Sequence, residues 1–163
     1  MPGQVATYAP RGQTPVLSVP LTRDHLSVIA AITPDGRLFS QTEQRAFNSA
    51  DIIRFLRHLL QHISGRLLVI WDGLPAHRSR AIKAFLSAGA AQRIHLERLP
   101  GYAPDLNPAE GIWQYLKYVE LKNLCTHTLL ELRLELRKAI VRLRRKTAIV
   151  CACFDRVHLG ERV

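Results

Sequence analysis

The fold is decided by two blocks, LVIWDGLPAHRSR at 68–80 and LPGYAPDLNPAEGIWQYLK at 99–117. The apolar run 67–71 predicts a strand that is buried on both faces, so Asp72 lies where this strand leaves the core. In the second block, Asn107 and Pro108 are typical of a helix start, and they place Glu110 in the first turn. Two such carboxylates, if close together, provide what a divalent-metal site for phosphodiester chemistry needs.

The composition favours a basic globular protein that binds a polyanion. The chain has 163 residues, 47% of them apolar, with a formal net charge of +10 and a pI near 10.3. Such a charge predicts a partner such as nucleic acid. The apolar runs are far shorter than the roughly 20 residues of a membrane-spanning helix, and the first residues lack the pattern of a secretory signal. We therefore expect a cytoplasmic protein without membrane contacts, whose three cysteines are reduced thiols.

The pattern along the chain predicts an α/β fold in which helices flank a mixed sheet, with residues 1–163 forming a single domain. A turn signal at 33–36 joins two strands into a hairpin, and strands then alternate with helices. The predicted order is strand, strand, helix, strand, helix, strand, helix, helix, at 25–32, 37–43, 49–63, 67–71, 78–88, 94–99, 107–121 and 128–145. An irregular segment with a turn near 10–12 precedes these elements, and the tail 147–163 has no strong pattern.

Each candidate site residue also has an ordinary structural interpretation. Asp72 could simply be a polar residue between a strand and the turn at Gly73, and Glu110 could complete a capping box at its helix start. Asp105 is the nearest competing acid, but its place in a proline-rich turn favours a role in shaping that turn. His77 could contact a phosphate or move a proton near the site, or it could orient its own loop.

Basic residues follow Glu110 along the chain. Gln114 and Lys117 lie on roughly the same helical face as Glu110, opposite an apolar stripe that includes Val119, so they are either solvated or near a bound phosphate. The segment 117–146 carries nine basic residues. Its charge predicts DNA contacts by a set of side chains near its end, namely Arg137, Lys138, Arg142, Arg144 and Arg145.

Taken together, these motifs resemble the DDE transposases of the mariner superfamily, in its bacterial insertion-sequence branch. The resemblance extends from about residue 5 to 145. It rests on TYAPRG at 7–12, on WDG at 71–73 with Pro75 and His77, and on LP at 99–100 followed by YAPDLNPAE at 102–110, Trp113 and LK at 116–117. It implies a ribonuclease H-like fold and metal-dependent DNA strand cleavage and transfer in transposition.

The resemblance also assigns roles to residues. It implies that Asp72 and Glu110 are the second and third acids of a catalytic triad that binds Mg²⁺ or Mn²⁺. The first aspartate belongs on a strand ahead of the 7–12 motif, and we expect that strand to be truncated or missing. The amino-terminal helix-turn-helix domain of the family is expected to be absent as well. The ion would then bind weakly if at all, and the chain alone would be inactive or nearly so.

Transposon ends and target DNA are the expected partners, in the bacterial cytoplasm near the nucleoid. Self-association, or association with a full-length transposase, is also expected. An alternative function is a non-catalytic DNA-binding or assembly fragment that acts through full-length transposase. An independent ribonuclease H-like hydrolase is a third interpretation, which the incomplete triad disfavours.

Overall fold

The structure is a computed structural model that describes residues 3, 5–6, 9–13, 16, 25–73, 79–101 and 103–155. Its helices and strands are β1 (Ser27–Ile32), β2 (Leu38–Glu43), α1 (Ser49–His62), β3 (Leu67–Trp71), α2 (Arg80–Ser87), β4 (Ile94–Arg98), α3 (Ala109–Tyr115), α4 (Leu129–Arg144) and α5 (Thr147–Asp155). Short 3₁₀ turns occupy Ala90–Gln92 and Pro104–Leu106, and a π-helix, Leu116–Glu120, directly follows α3.

The predicted order of elements up to residue 145 is confirmed, but the prediction of a patternless tail is wrong. Residues Thr147–Asp155 form α5, in which Val150 and Cys153 are buried. This helix is apolar on most sides, so its sequence lacks the contrast between two faces from which a helix is recognised. Among the described residues, no helix is long and apolar enough to cross a membrane.

The predicted hairpin is confirmed. β1 and β2 pair antiparallel, with Ile32 opposite Leu38. In the connecting turn, Gly36 has a φ of +85° and its backbone N–H donates to the carbonyl of Thr33 at 2.9 Å. Because residues with side chains rarely adopt this φ, glycine suits the turn that fixes the register of both strands.

The predicted crossover unit is confirmed as well. β3 and β4 pair in parallel, with Trp71 opposite Arg98, and α2 connects them. The Ser79 hydroxyl accepts a hydrogen bond from the Ile82 N–H at the start of α2, and Gly89, with a φ of +113°, follows its end. Parallel pairing places the carboxyl ends of β3 and β4 at the same edge, where Asp72 begins the next loop.

The predicted α/β fold, in which helices flank parallel and antiparallel strands, is confirmed, and the described strands form small sheets. Among these described strands β1 pairs only with β2, and β3 pairs only with β4, giving two separate two-stranded sheets. Ile29 and Ala31 of β1 nevertheless pack into the same apolar cluster as Val69 and Trp71 of β3, together with residues of α1 and α2. The two sheets therefore share one core although no described strand joins them.

The prediction that β3 is buried on both faces is wrong. Leu67, Val69 and Trp71 contact the shared cluster, whereas Leu68 is 62% exposed and Ile70 is 51% exposed. A second apolar cluster covers the corresponding face of β1, but it does not include β3. An apolar run indicates that both faces tolerate burial, and it does not show which element covers each face.

The second cluster is built from α3, α4 and α5 against β1. Ile112, Leu143 and Val150 are fully buried in it. α3 and α5 approach each other closely at Gly111, where a Cβ would lie 2.8 Å from the Sγ of Cys153. The helix that carries Glu110 is therefore held by tight packing on the two carboxyl-terminal helices.

The π-helix changes the face on which residues after α3 lie. Its defining hydrogen bond runs from the Leu121 N–H to the Leu116 carbonyl at 2.9 Å. We predicted an unbroken helix with Val119 on the apolar face, but Val119 is 48% exposed, while only 4% of the Glu120 side chain is exposed. A π-turn holds more residues than an α-turn, so the residues that follow are rotated relative to the 3.6-residue pattern.

Candidate metal and nucleic-acid site

Glu110 lies in the first turn of α3, as predicted. Asn107 precedes α3 and accepts hydrogen bonds from its first turn. Its Oδ1 accepts one from the Ala109 N–H at 3.1 Å, and its carbonyl accepts one from the Glu110 N–H at 3.0 Å. Glu110 is partly buried as a residue, and its carboxylate makes no hydrogen bond or ion pair with any residue that the structure describes. The capping-box alternative is therefore not realised, and this carboxylate is available for a ligand.

Asp72 directly follows β3 and is exposed. The pairing of β3 with β4 extends to its edge, where the Leu99 N–H donates to the Trp71 carbonyl at 2.9 Å. Asp72 also has an interaction of its own within the protein. Its backbone is thus fixed at the carboxyl end of a parallel strand pair, which is where ligands gather in α/β folds.

Arg98 is a candidate site residue that the sequence analysis missed. It ends β4 opposite Trp71, and its guanidinium lies against Gly73, where a Cβ would be 2.7 Å from one terminal nitrogen. An exposed arginine is therefore held one residue beyond Asp72. The only sequence signal was the presence of a cation at the end of a strand, and its meaning depended on the register of β3 with β4.

The other predicted residues near the two acids have different outcomes. Asp105 lies exposed in the 3₁₀ turn Pro104–Leu106, as its turn-shaping interpretation predicted. Gln114 on α3 and Lys117 on the π-helix are both exposed. His77 lies outside the described residues, so its predicted contact stays a prediction.

The elements that carry the two acids flank β1. α3 packs against β1, and β3 shares its apolar cluster with β1. Among the residues that the structure describes, however, no group of three or more histidine, cysteine, aspartate or glutamate side chains could hold a metal ion. The described residues therefore supply separate carboxylates rather than an assembled triad.

The chemistry of these two donors fits Mg²⁺ or Mn²⁺. Both are hard oxygen ligands, and Asp72 and Glu110 bring the negative charge that such an ion needs. Mg²⁺ is often bound by only one or two carboxylates, with water and substrate phosphates as its remaining ligands. The donor type and number are therefore compatible with a site that is completed by substrate or by a further carboxylate.

The basic residues predicted to contact DNA fall into two groups. Arg142 Nε donates to Glu120 at 2.6 Å, and Arg144 Nε donates to the Leu38 carbonyl at 3.1 Å. Lys138 forms an exposed ion pair with Glu135. By contrast, two of the predicted side chains are exposed and form no ion pair or side-chain hydrogen bond with the described part of the chain, namely Arg137 and Arg145.

Glu120 links the π-helix to the carboxyl-terminal helices. Besides the bond from Arg142, its carboxylate accepts one from the Lys146 Nζ at 2.8 Å, and Lys146 also donates to the Tyr115 hydroxyl at 3.1 Å. Burial raises the pKa of Glu120, but the hydrogen bonds from Lys146 and Arg142 lower it by more than burial raises it. The pKa of Glu120 therefore lies below its ordinary value. This cluster stabilises the end of the helical segment whose first turn contains Glu110.

The structure is an α/β fold that carries Asp72 at the end of β3 and Glu110 in the first turn of α3. The family model described as DDE superfamily endonuclease matches residues 3–132, so the chain belongs to this family. No curated protein shows significant sequence similarity to the chain.

Solved structures of Mos1 transposase share the ribonuclease H-like fold. The Mos1 paired-end complex with the left transposon end has a TM-score of 0.59 at 16% identity, covering 93% of this chain and 50% of that one. The Mos1 mariner paired-end complex with Mn has a TM-score of 0.56 at 17% identity, covering 99% of this chain and 53% of that one. This chain thus spans about half the length of each, and the predicted mariner-like fold is confirmed.

Proposed function

We propose that this chain is the catalytic domain of a DDE transposase, in which Asp72 and Glu110 contribute to one divalent-metal site for DNA strand cleavage and transfer. The observation that carries this proposal is Glu110, a partly buried residue whose carboxylate has no partner among the described residues. A carboxylate that is held in the first turn of a tightly packed helix and is not used in a protein hydrogen bond is free to bind a ligand. Family membership agrees with this role.

The proposed division of labour follows from the chemistry of each side chain. Bound Mg²⁺ or Mn²⁺ would supply a Lewis acid for the phosphodiester and would lower the pKa of an attacking water. Asp72 and Glu110 would hold the ion, while Lys117 and Arg98 would bind the phosphates of the DNA backbone and Gln114 would offer it a neutral hydrogen bond. Arg98 presents a planar fork of donors next to Asp72, which suits a phosphate oxygen pair.

We further propose that the site is completed by a carboxylate on an additional strand between β1 and β3. Each of these strands is paired on one side only within the described residues, and both pack into one apolar cluster. The edges that stay unpaired within the described residues support the proposal, because an exposed strand edge attracts another strand. Without that third acid the ion would bind weakly, and a domain that lacks it would cleave DNA slowly or not at all.

The proposed substrates are transposon ends and target DNA. The net charge of +10 supports binding through phosphates, which makes affinity fall steeply with salt. Lys138, Arg142 and Arg144 of α4 would extend this basic surface, although Arg142 and Arg144 would have to leave or share their protein partners. Such a protein would act in the bacterial cytoplasm at the nucleoid.

A plasmid-nicking assay tests the function. Supercoiled DNA is incubated with Mn²⁺ and either this chain or a fusion whose added amino-terminal strand carries one aspartate. We expect negligible nicking by the chain and clear nicking by the fusion, which is lost in Asp72→Asn or Glu110→Gln but kept in Asp105→Asn. Robust nicking by the chain alone would contradict the incomplete site, and a fusion that stays active without Asp72 and Glu110 would contradict their role.

The unpaired edges also favour a second candidate function, namely a non-catalytic fragment that associates with full-length transposase. Within the described residues, β1 and β3 are each paired along one edge only, and the other edge would accept a partner strand. Co-purification with an intact relative separates the assembly function from the catalytic one. The tagged chain is compared with a double variant that carries Leu68→Lys and Ile70→Lys. Association that the variant abolishes supports the assembly function, whereas no association by either protein excludes it.

A further inference from the structure

α4 is apolar on two sides, only one of which faces the core. Its buried side consists of Leu136, Ala139, Ile140 and Leu143. On the opposite side, Leu130 is 63% exposed, Leu134 is 48% exposed and Val141 is 41% exposed. Together with Arg137, these residues follow the spacing i, i+4, i+7, i+11 and so lie in one row along the helix. We call Leu130, Leu134, Arg137 and Val141 the outer ridge.

Positive charge borders one flank and the end of this row, whereas Glu131, Glu135 and Lys138 lie on the groove side. Arg133 lies on one flank and Arg145 near its end, and both are exposed. Neither they nor Arg137 forms an ion pair with the described part of the chain, whereas Lys138 is paired with Glu135 at 2.7 Å. Three guanidinium groups without counter-charges therefore border a row of exposed aliphatic side chains.

A groove adjoins the outer ridge at Leu134. Its volume is about 290 Å³, and it lies between the start of α4 and the preceding loop. Leu124 and Cys125 line it on the loop side, and Leu134 and Lys138 line it on the helix side. The ridge and groove together offer both a row of contacts and a recess for one side chain.

Two occupants of this surface are disfavoured by its chemistry. DNA phosphates would pair with Arg137 but would gain nothing from Leu130, Leu134 and Val141, whose contacts favour apolar surface. A second copy of the chain, packed antiparallel about the middle of the row, would pair Leu130 with Val141 and Leu134 with Arg137. Both copies of Arg137 would then lie against leucine without an acidic partner, and burying an unpaired charge is costly.

We propose that the outer ridge docks an amphipathic helix of another protein, one whose apolar residues surround an aspartate or glutamate that faces Arg137. An amphipathic helix matches a straight row of i, i+4, i+7, i+11 anchors. Acidic residues on its flanks would pair with Arg133 and Arg145, giving the complementarity that selects one partner over others. This surface is separate from the proposed catalytic acids and would serve to recruit the protein to an assembly.

A charge-swap experiment tests the proposal. The probe is a fluorescent helical peptide of about 18 residues with leucines at i, i+4 and i+11, glutamate at i+7 and acidic flanks. At 150 mM salt we expect micromolar binding, weakened at least tenfold in Arg137→Glu and in Leu134→Ser. A peptide with lysine in place of the central glutamate should restore binding to Arg137→Glu. Lys122→Glu, which makes the same charge change at an exposed position outside α4, should bind the original peptide as the parent does.

The other outcomes are equally decisive. Equal loss of binding in Lys122→Glu and Arg137→Glu would show general electrostatic attraction and overturn the proposal, as would failure of the parent to bind the peptide. If Leu134→Ser and Arg137→Glu weaken binding of a short DNA duplex but not of the peptide, the surface binds nucleic acid. If the parent dimerises in sedimentation and Leu134→Ser is monomeric, the surface joins two copies of the chain.

Discussion

The guanidinium of Arg98 lies against Gly73, with one terminal nitrogen 2.7 Å from where a Cβ at position 73 would stand. The register of β3 with β4 produces this contact, because it places Arg98 opposite Trp71 at the edge where Asp72 begins the loop. A glycine after Asp72 therefore gives an arginine room beside the candidate metal ligand. The absence of a side chain at position 73 thus allows a positive charge to lie beside Asp72.

Gly73→Ala is expected to displace Arg98 and weaken DNA binding as much as Arg98→Ala does. The clash involves the end of a flexible side chain, so the free energy of unfolding should change by less than about 1 kcal/mol. Fluorescence-anisotropy titrations at several salt concentrations measure the affinity for DNA. In both variants the slope of log affinity against log salt concentration should decrease in magnitude by about one unit, because one phosphate contact disappears.

The double variant provides the control for this prediction. If Gly73 acts only by making room for Arg98, Gly73→Ala with Arg98→Ala should bind DNA no more weakly than Arg98→Ala alone. Additive losses would show that Gly73 contributes to binding by another route.

Gly111→Ala should destabilise the packing of α3 on α5. Its Cβ would lie 2.8 Å from the Sγ of buried Cys153, and overpacking of this kind typically costs about 1–3 kcal/mol. Adding Cys153→Ala removes the clashing sulfur and should recover part of that loss. Urea unfolding measures the free energy of unfolding of the single and double variants. A double variant that is less stable than either single variant would contradict the assigned contact.

Glu120→Gln should lower stability at neutral pH by about 1–3 kcal/mol, because two hydrogen bonds to a charged acceptor are weakened. The pKa of Glu120 is held below the ordinary value of 4.5, so the carboxylate contributes stability above about that pH and loses it as pH falls through the folded-state pKa. The difference in the free energy of unfolding between parent and variant, measured with urea, should therefore shrink below pH 4.5. A constant difference across this range would contradict the assignment to charge.

Asp51→Asn tests a buried ion pair in the other half of the fold. Asp51 is 2% exposed and accepts hydrogen bonds from Arg45 at 2.5 Å and from the Asn48 N–H at 3.0 Å. The bond from Arg45, with that from Asn48, lowers its pKa from 3.8 to about 2. Its contribution to the free energy of unfolding should be present above pH 4 and decline as pH approaches 2. Glu135→Gln, at an exposed ion pair, should change stability by less than about 1 kcal/mol and serves as the control.

The elements that the sequence predicted correctly are those with strong local signals. Thr33 and Gly36 specify a turn, and the apolar period from Ile52 to Leu59 specifies α1, because each depends on neighbours a few residues away. Asn107 likewise identified the start of α3. The position of Glu110 in its first turn followed from that local signal alone.

The features that the sequence did not reveal depend on contacts between distant residues. The exposure of Leu68 follows from what covers β3, and the position of Arg98 follows from strand register. Val119 was assigned to the wrong face because a 3.6-residue period was assumed across the π-helix. The missing partner of Glu110 is also a property of three-dimensional packing, since the sequence was equally compatible with a capping box.

Paramagnetic broadening by Mn²⁺ tests the central claim that Asp72 and Glu110 hold one ion. In isotope-labelled protein, the amide signals of Gly73 and Gly111 can be followed during a Mn²⁺ titration that reaches millimolar concentrations, where even weak binding is detected. We expect both signals to broaden over the same concentration range, with both effects lost in either Asp72→Asn or Glu110→Gln and retained in Asp105→Asn. Broadening at only one glycine, at neither, or unchanged in both variants would contradict a shared site.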